Sequence, residues 1–283
     1  MKTRSGDGSM KHLSSASWLL SVLVLLCGCG GGGRISAPSS APSSGPSSGP
    51  TPHGLNIVGN WHFSTASTVS GTPPMSIDGS INQSGSSLGG AVHVDGSNCF
   101  DRLTTVGLTG TLNDSNISLT STSVAGQVTT FTGSITGDTL NGTYTINGGC
   151  ANGDQGSVTG IKIPQITNTL NATFTASGGE TFDVAGTMAQ DASASPEGSF
   201  GITGTVSFRT SCFSSGTITP GTFPSGSFIM GRSVALKIET GNGTLAFLGT
   251  ENLSTGEISG NYTVSGGTCD QSGTALLLGP FDY

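Results

Sequence analysis

The sequence is poor in charge, in basic residues and in aromatic side chains. Charged residues make up 9% of its 283 residues and aromatic residues 6%, whereas glycine alone occurs 47 times. Without the first 28 residues, 6 basic and 15 acidic side chains remain, and they form no basic run. Binding to nucleic acid or to anionic lipid needs positive charge, so this balance argues against both partners.

The low charge does not indicate disorder, because disordered chains combine low hydrophobicity with high net charge. Abundant glycine, serine, threonine and asparagine instead fit an all-β protein with many turns. No stretch after residue 54 has helical periodicity. Apolar residues alternate with threonine or asparagine, as in residues 140–147, which is typical of a strand buried on one side.

Turn signals divide this region into about eight strands within residues 57–163 and a similar number within residues 169–279. Short strands joined by tight turns suit small up-and-down barrels or sandwiches. We therefore predict an all-β fold with two tandem antiparallel units of about eight strands each.

The N-terminus has the pattern of an export signal. Three basic residues precede an apolar run over residues 16–26, which is too short to span a bilayer comfortably. The Leu-Cys-Gly-Cys segment at residues 26–29 resembles the bacterial lipobox, whose final cysteine is diacylated and becomes the mature N-terminus. The resemblance implies a lipoprotein signal peptide over residues 1–28 and a lipid anchor on Cys29. The alternative is an ordinary cleaved signal.

Residues 29–53 consist of a glycine run followed by repeated Ala/Gly-Pro-Ser-Ser units. Proline interrupts helices and Gly/Ser tracts are flexible, so this segment is a linker without a core. Anchor and linker together predict a membrane-anchored location in the cell envelope, either periplasmic or surface-facing.

The rest of the chain is a duplication of a domain-sized unit. Residues 142–150 match residues 260–269, and each segment carries a tyrosine and ends on a cysteine. The offset between matching positions grows from 111 residues at Asn60 to 119 at Cys150, as expected when loops differ and strands do not. This predicts β repeats over residues 54–164 and 165–283. The join between them is short, so we expect the repeats to be in contact.

Four cysteines remain after Cys27 is removed and Cys29 is acylated. Four cysteines allow three connectivities. The duplication favours the connectivity in which each repeat has its own disulfide, between Cys99 and Cys150 and between Cys212 and Cys269. Disulfides of this kind require an oxidising compartment.

The first repeat resembles the lipocalin-like (calycin) barrels through its Gly59-Asn60-Trp61 segment. In that family the tryptophan closes the barrel floor under a basic residue of the last strand, so the resemblance implies a closing pair of Trp61 and Lys162. The second repeat departs from this pattern because Ala172 stands in the place of Trp61. The overall pattern resembles bacterial envelope lipoproteins with repeated Gly/Thr-rich β units, a group for which no function is implied.

Few residues suggest chemistry. His62 and His93 lie on the polar faces of their strands, where they could form a metal-binding pair or simply be exposed. We favour exposed histidines, because two ligands do not make a zinc site. Residues 85–89 match the Gly-x-Ser-x-Gly nucleophile motif but lie between two strands rather than before a helix.

Several acidic residues fall in turns, where such side chains usually stabilise the turn itself. A calcium site over residues 147–154 lacks regular ligand spacing. The aromatic residues Trp61, Tyr144 and Tyr262 have apolar neighbours and are interpreted as core rather than as carbohydrate platforms.

These observations predict a lipid-anchored envelope protein with a non-catalytic structural or adhesive role. The alternative is lipocalin-like binding of a small apolar ligand or lipid inside a barrel. We expect no enzymatic activity, no cofactor and no metal. The expected partners are the membrane, through the anchor, and in the alternative a small apolar ligand.

Overall fold

A computed structural model describes residues 55–279 and residue 281. Within these ranges every regular element is a β-strand, and no helix is present that could cross a membrane. The predicted signal peptide, the anchor at Cys29 and the linker lie outside the described residues.

The first repeat forms a closed antiparallel barrel in which each strand pairs with the next and the last pairs with the first. Its strands are β1 (Gly59–Ser67), β2 (Ser76–Ser84), β3 (Ser87–Asp95), β4 (Val106–Asn113), β5 (Asn116–Ser121), β6 (Val128–Thr136), β7 (Thr139–Asn147) and β8 (Gln155–Ile163).

The second repeat also closes into a barrel, through pairings of β10 with β11 and of β17 with β9. Its eighth position is shared by two short strands, β12 and β13, which both lie between β11 and β14. The strands are β9 (Thr167–Ala176), β10 (Thr181–Gln190), β11 (Phe200–Phe208), β12 (Ser215–Ile218), β13 (Phe228–Met230), β14 (Ser233–Thr240), β15 (Gly243–Asn252), β16 (Glu257–Ser265) and β17 (Gln271–Leu278). The predicted fold class is confirmed, with barrels rather than sandwiches.

The alternation of the sequence sets which side chains fill each barrel. On β1, Trp61 and Phe63 point inward and are 0% and 4% exposed, while Asn60 and His62 point outward. Successive side chains of a strand face opposite sides, so the apolar set of every strand meets at the barrel axis. Each repeat therefore has its own hydrophobic core.

Each barrel contains one disulfide, and the two disulfides join equivalent loops of their own barrels. Cys99, after β3, is joined to Cys150, after β7, and Cys212, after β11, is joined to Cys269, after β16. These are the pairs that the duplication predicts. The cysteines are 51 and 57 residues apart in sequence, and closing such loops contributes about 4 kcal/mol each on the chain-entropy model.

Candidate functional site

The outer face of β1–β3 carries a row of polar side chains that meets the second barrel. His62, Asp78 and His93 are cross-strand neighbours in this row. The Nδ1 atom of His62 lies 2.7 Å from Oδ1 of Asp78, and the hydroxyl of Ser76 donates to the other carboxylate oxygen at 3.1 Å. The Asp78 side chain is therefore already engaged by its neighbours.

His93 lies between the barrels and is only 5% exposed. Its Nδ1 is 3.1 Å from the carbonyl oxygen of Arg102, in the first barrel, and its Nε2 is 3.0 Å from that of Glu197, in the second. The imidazole also packs against the ring of Phe223, with 4.4 Å between centroids. The prediction that the strand histidines are exposed is wrong, because the second barrel covers this face.

A pair of hydrogen bonds joins the two barrels at Asn60, which is 1% exposed. Its side-chain amide donates to the carbonyl of Gly231 at 2.8 Å, and the Gly231 N–H donates back to its oxygen at 2.6 Å. Gly231 has a φ of +53°, and a Cβ there would collide with the carboxylate of Asp78. The site thus requires glycine for both conformation and space.

These contacts confirm that the two repeats are packed together, and both belong to one compact unit. The segment of the second barrel that reaches the first includes β13 and the loop before it, which contributes Phe223. Sequence reasoning predicted that the repeats touch but did not identify the segment that makes the contact. The growing offset between the repeats was the available signal, since it marks extra residues in the second one.

A cleft of about 370 Å³ lies between the barrels beside this contact. Asp95 and Arg102 of the first barrel and Leu248 and Asn261 of the second lie on its walls, and Phe223 lines it as well. All but the half-buried Phe223 are exposed, and Leu248 reaches 59%. The volume falls within the range of small-molecule sites.

The interior of the first barrel, in contrast, is filled with side chains. Two spaces among its apolar residues have volumes of about 10 Å³ each, which is roughly one water molecule. Neither could hold an apolar ligand of the kind that the lipocalin resemblance implies.

The proposed closing pair lies at one end of that barrel. Trp61 is fully buried and its indole N–H donates to the carbonyl of Ile57 at 2.8 Å. Lys162 stands opposite Trp61 in the β1–β8 ladder, and its methylene groups cover Gly59. The Lys162 ammonium reaches the carbonyl of Asn56 at 3.5 Å. That the pair closes the barrel as in lipocalins stays a prediction.

The two repeat-related tyrosines are buried in their barrels, as predicted, at 1% exposure each. The Tyr144 hydroxyl donates to Oδ2 of Asp154 at 3.1 Å, and Ser67 donates to Oδ1. The Tyr262 hydroxyl has no hydrogen-bond partner within the described residues. Burial raises the pKa of both phenols, and for Tyr144 the negative Asp154 adds to the effect.

The remaining candidate motifs have structural explanations. Gly85 and Ser86 form the turn between β2 and β3, with Gly85 at a φ of +60°, so the Gly-x-Ser-x-Gly match is a hairpin and not a nucleophile elbow. In the stretch considered for calcium, Asp154 accepts hydrogen bonds from the hydroxyls of Tyr144 and Ser67. Among residues 55–279 and 281, no group of three or more His, Cys, Asp or Glu side chains could hold a metal.

Comparisons with known proteins add little to this geometry. No protein-family model matches the chain, and no curated protein matches it.

Among solved structures, kievitone hydratase from Nectria haematococca is 9% identical, with 78% of this chain and 88% of that chain covered and a TM-score of 0.23. The Myxococcus xanthus hemagglutinin in complex with α3,α6-mannopentaose is 14% identical over 78% of this chain and all of its own, with a TM-score of 0.19. Burkholderia oklahomensis agglutinin is 12% identical, with 78% and 95% covered and a TM-score of 0.19. Likenesses with TM-scores this low carry no argument about function.

Proposed function

We propose that the chain is a lipid-anchored cell-envelope protein whose two-barrel head has a non-catalytic structural or adhesive role. The observations that carry this proposal are the filled interior of the first barrel and its contact with the second barrel, which includes buried hydrogen bonds at Asn60 and His93. A filled barrel offers its outer surface for binding and not its interior. The two disulfides support an oxidising, extracytoplasmic location.

The anchor is tested with two neighbouring cysteines that differ in what precedes them. Cys29 follows a glycine and Cys27 follows a leucine, so only Cys29 fits the lipobox. Cys29→Ala should abolish labelling by an alkyne fatty acid and release the chain from membranes, whereas Cys27→Ala should leave both unchanged. Continued labelling of the Cys29→Ala chain would show that the anchor is elsewhere or absent.

The adhesive role is tested on cells that carry the chain. Deletion of the gene should reduce attachment between cells or to surfaces, and expression of the wild-type chain should restore it. Expression of the Cys29→Ala chain should not restore it, because a released head cannot transmit force to the envelope. Unchanged attachment after deletion would contradict an adhesive role and leave the structural one.

A further inference from the structure

We propose that the cleft between the two barrels is a binding site for a saccharide of one or two rings. The inference rests on the proposed binding role of the head and names the ligand class that its cleft would take. It is carried by the size of the cleft, by the fixed positions of its walls and by the kinds of side chain that line it.

The cleft has walls from both barrels, and these walls are held in place. The Asn60–Gly231 hydrogen bonds connect the barrels beside it, and so do the contacts of His93 with the Glu197 carbonyl and the Phe223 ring. A site whose walls are already positioned loses little conformational freedom on binding, which matters for a small polar ligand with few contacts. The volume of about 370 Å³ accommodates one or two sugar rings.

The polar groups of the cleft are available to a ligand. The Arg102 guanidinium and the Asn261 amide make no hydrogen bond or ion pair with any part of the chain that the structure describes. Asp95 accepts one bond, from the N–H of Gly96, and its second oxygen has no partner among the described residues. Guanidinium, amide and carboxylate groups each offer two parallel hydrogen-bonding positions, which suit the adjacent hydroxyls of a sugar.

An apolar surface accompanies these groups. Leu248 is 59% exposed at the cleft, and Phe223 lines it with a ring that is backed by His93 and Phe228. The C–H face of a sugar ring packs on such a surface while its hydroxyls bond to the polar groups. This combination of a small apolar area with uncommitted planar polar groups suits a saccharide.

Other ligand classes fit the cleft less well. A lipid tail would leave Arg102, Asp95 and Asn261 without hydrogen bonds when it covers them, which costs free energy for each group. An extended peptide binds by adding a strand to a free sheet edge, and both barrels are closed. A simple anion would match Arg102 but not Asp95, which carries the opposite charge.

The test uses the full chain, extracted in a detergent without a sugar headgroup, and isothermal titration calorimetry. The probes are N-acetylglucosamine, glucuronic acid, maltose and mannobiose, each to about 10 mM, which saturates a site with a Kd of about 1 mM. At least one probe should bind. Arg102→Ala and Asn261→Ala should each weaken it about tenfold or more, since each removes hydrogen bonds worth about 1–2 kcal/mol.

Arg209→Ala is the matched control, because Arg209 is an exposed arginine of the second barrel that lies outside the cleft and whose side chain makes no hydrogen bond within residues 55–279. Its binding should equal that of the wild type.

Absence of binding by all four probes would overturn the saccharide site, as would binding that neither cleft substitution weakens. Tight binding of octanoate, either in competition with a sugar or where no sugar binds, would overturn the ligand class. If no saccharide binds but deletion of the gene still reduces cell attachment, the saccharide site is wrong and the adhesive role stands. Failure of the saccharide proposal is thus distinguishable from failure of the proposed function.

Discussion

The buried tyrosines Tyr144 and Tyr262 occupy equivalent repeat positions but differ in the partner of their hydroxyl group. Tyr144 donates to the buried carboxylate of Asp154, whereas the Tyr262 hydroxyl has no partner within the described residues. The difference arises in the segment after the disulfide cysteine that follows each tyrosine in the sequence. Asp154 follows Cys150 by four residues, whereas Asp270 follows Cys269 directly and is exposed.

Removal of each hydroxyl should therefore have different effects on stability. Tyr144→Phe removes a hydrogen bond to a charged group and leaves Asp154 with one fewer donor, which should cost about 2 kcal/mol. Tyr262→Phe removes a buried hydroxyl that makes no hydrogen bond, so stability should be unchanged or higher by about 1 kcal/mol. We expect a gap of about 2–3 kcal/mol between two chemically identical substitutions.

The gap is measured by guanidinium denaturation without reductant, followed by circular dichroism, with the free energies compared at a common m-value. A double-mutant cycle with Asp154→Ala, which removes both acceptor oxygens, should return most of the Tyr144 effect as coupling energy. Equal effects of the two Tyr→Phe substitutions, or no coupling in the cycle, would refute the reasoning from hydroxyl partners.

Two further predictions concern pH and the contact between the barrels. Because burial raises the pKa of Tyr144 and Tyr262, the unfolded chain loses its phenolic protons first, so stability is full below about pH 10 and falls as pH rises through the folded values. Tyr262→Phe should make this alkaline decline shallower in denaturation measured from pH 8 to 11, and an unchanged slope would contradict it. Gly231→Ala should cost about 2 kcal/mol or more, from its left-handed φ and the collision with Asp78. Gly178→Ala, whose Cβ would have no atom within 4 Å, should stay within about 0.5 kcal/mol, and equal urea midpoints for the two variants would argue against a tight contact at Gly231.

Much of the fold can be predicted from this sequence because its information is local. Alternating residues place Trp61 and Tyr144 in a core, and the duplicated landmarks select Cys99–Cys150 from three connectivities. The candidate cleft is different. Arg102 and Asn261 lie in different repeats, and neither belongs to a motif, so no pattern in the sequence indicates that they face one cleft.

His93 illustrates the limit. Its strand pattern correctly places it on the outer face of the first barrel, and an outer face is exposed in a single barrel. The sequence does not indicate that the second barrel covers this face. It therefore does not predict that His93 is only 5% exposed.

The sequence by itself determines the strands, the two tandem antiparallel units and the disulfide pairs, because side-chain alternation and repetition act along the chain; that each unit closes into a barrel is decided by the pairing of its first and last strands. Only the tertiary structure decides which outer faces meet, which polar groups become buried and where a cleft remains. These depend on the docking of two closed surfaces, through contacts such as Asn60 with Gly231 that are 171 residues apart. Shape and hydrogen bonding between the surfaces select that arrangement, and no local periodicity encodes it.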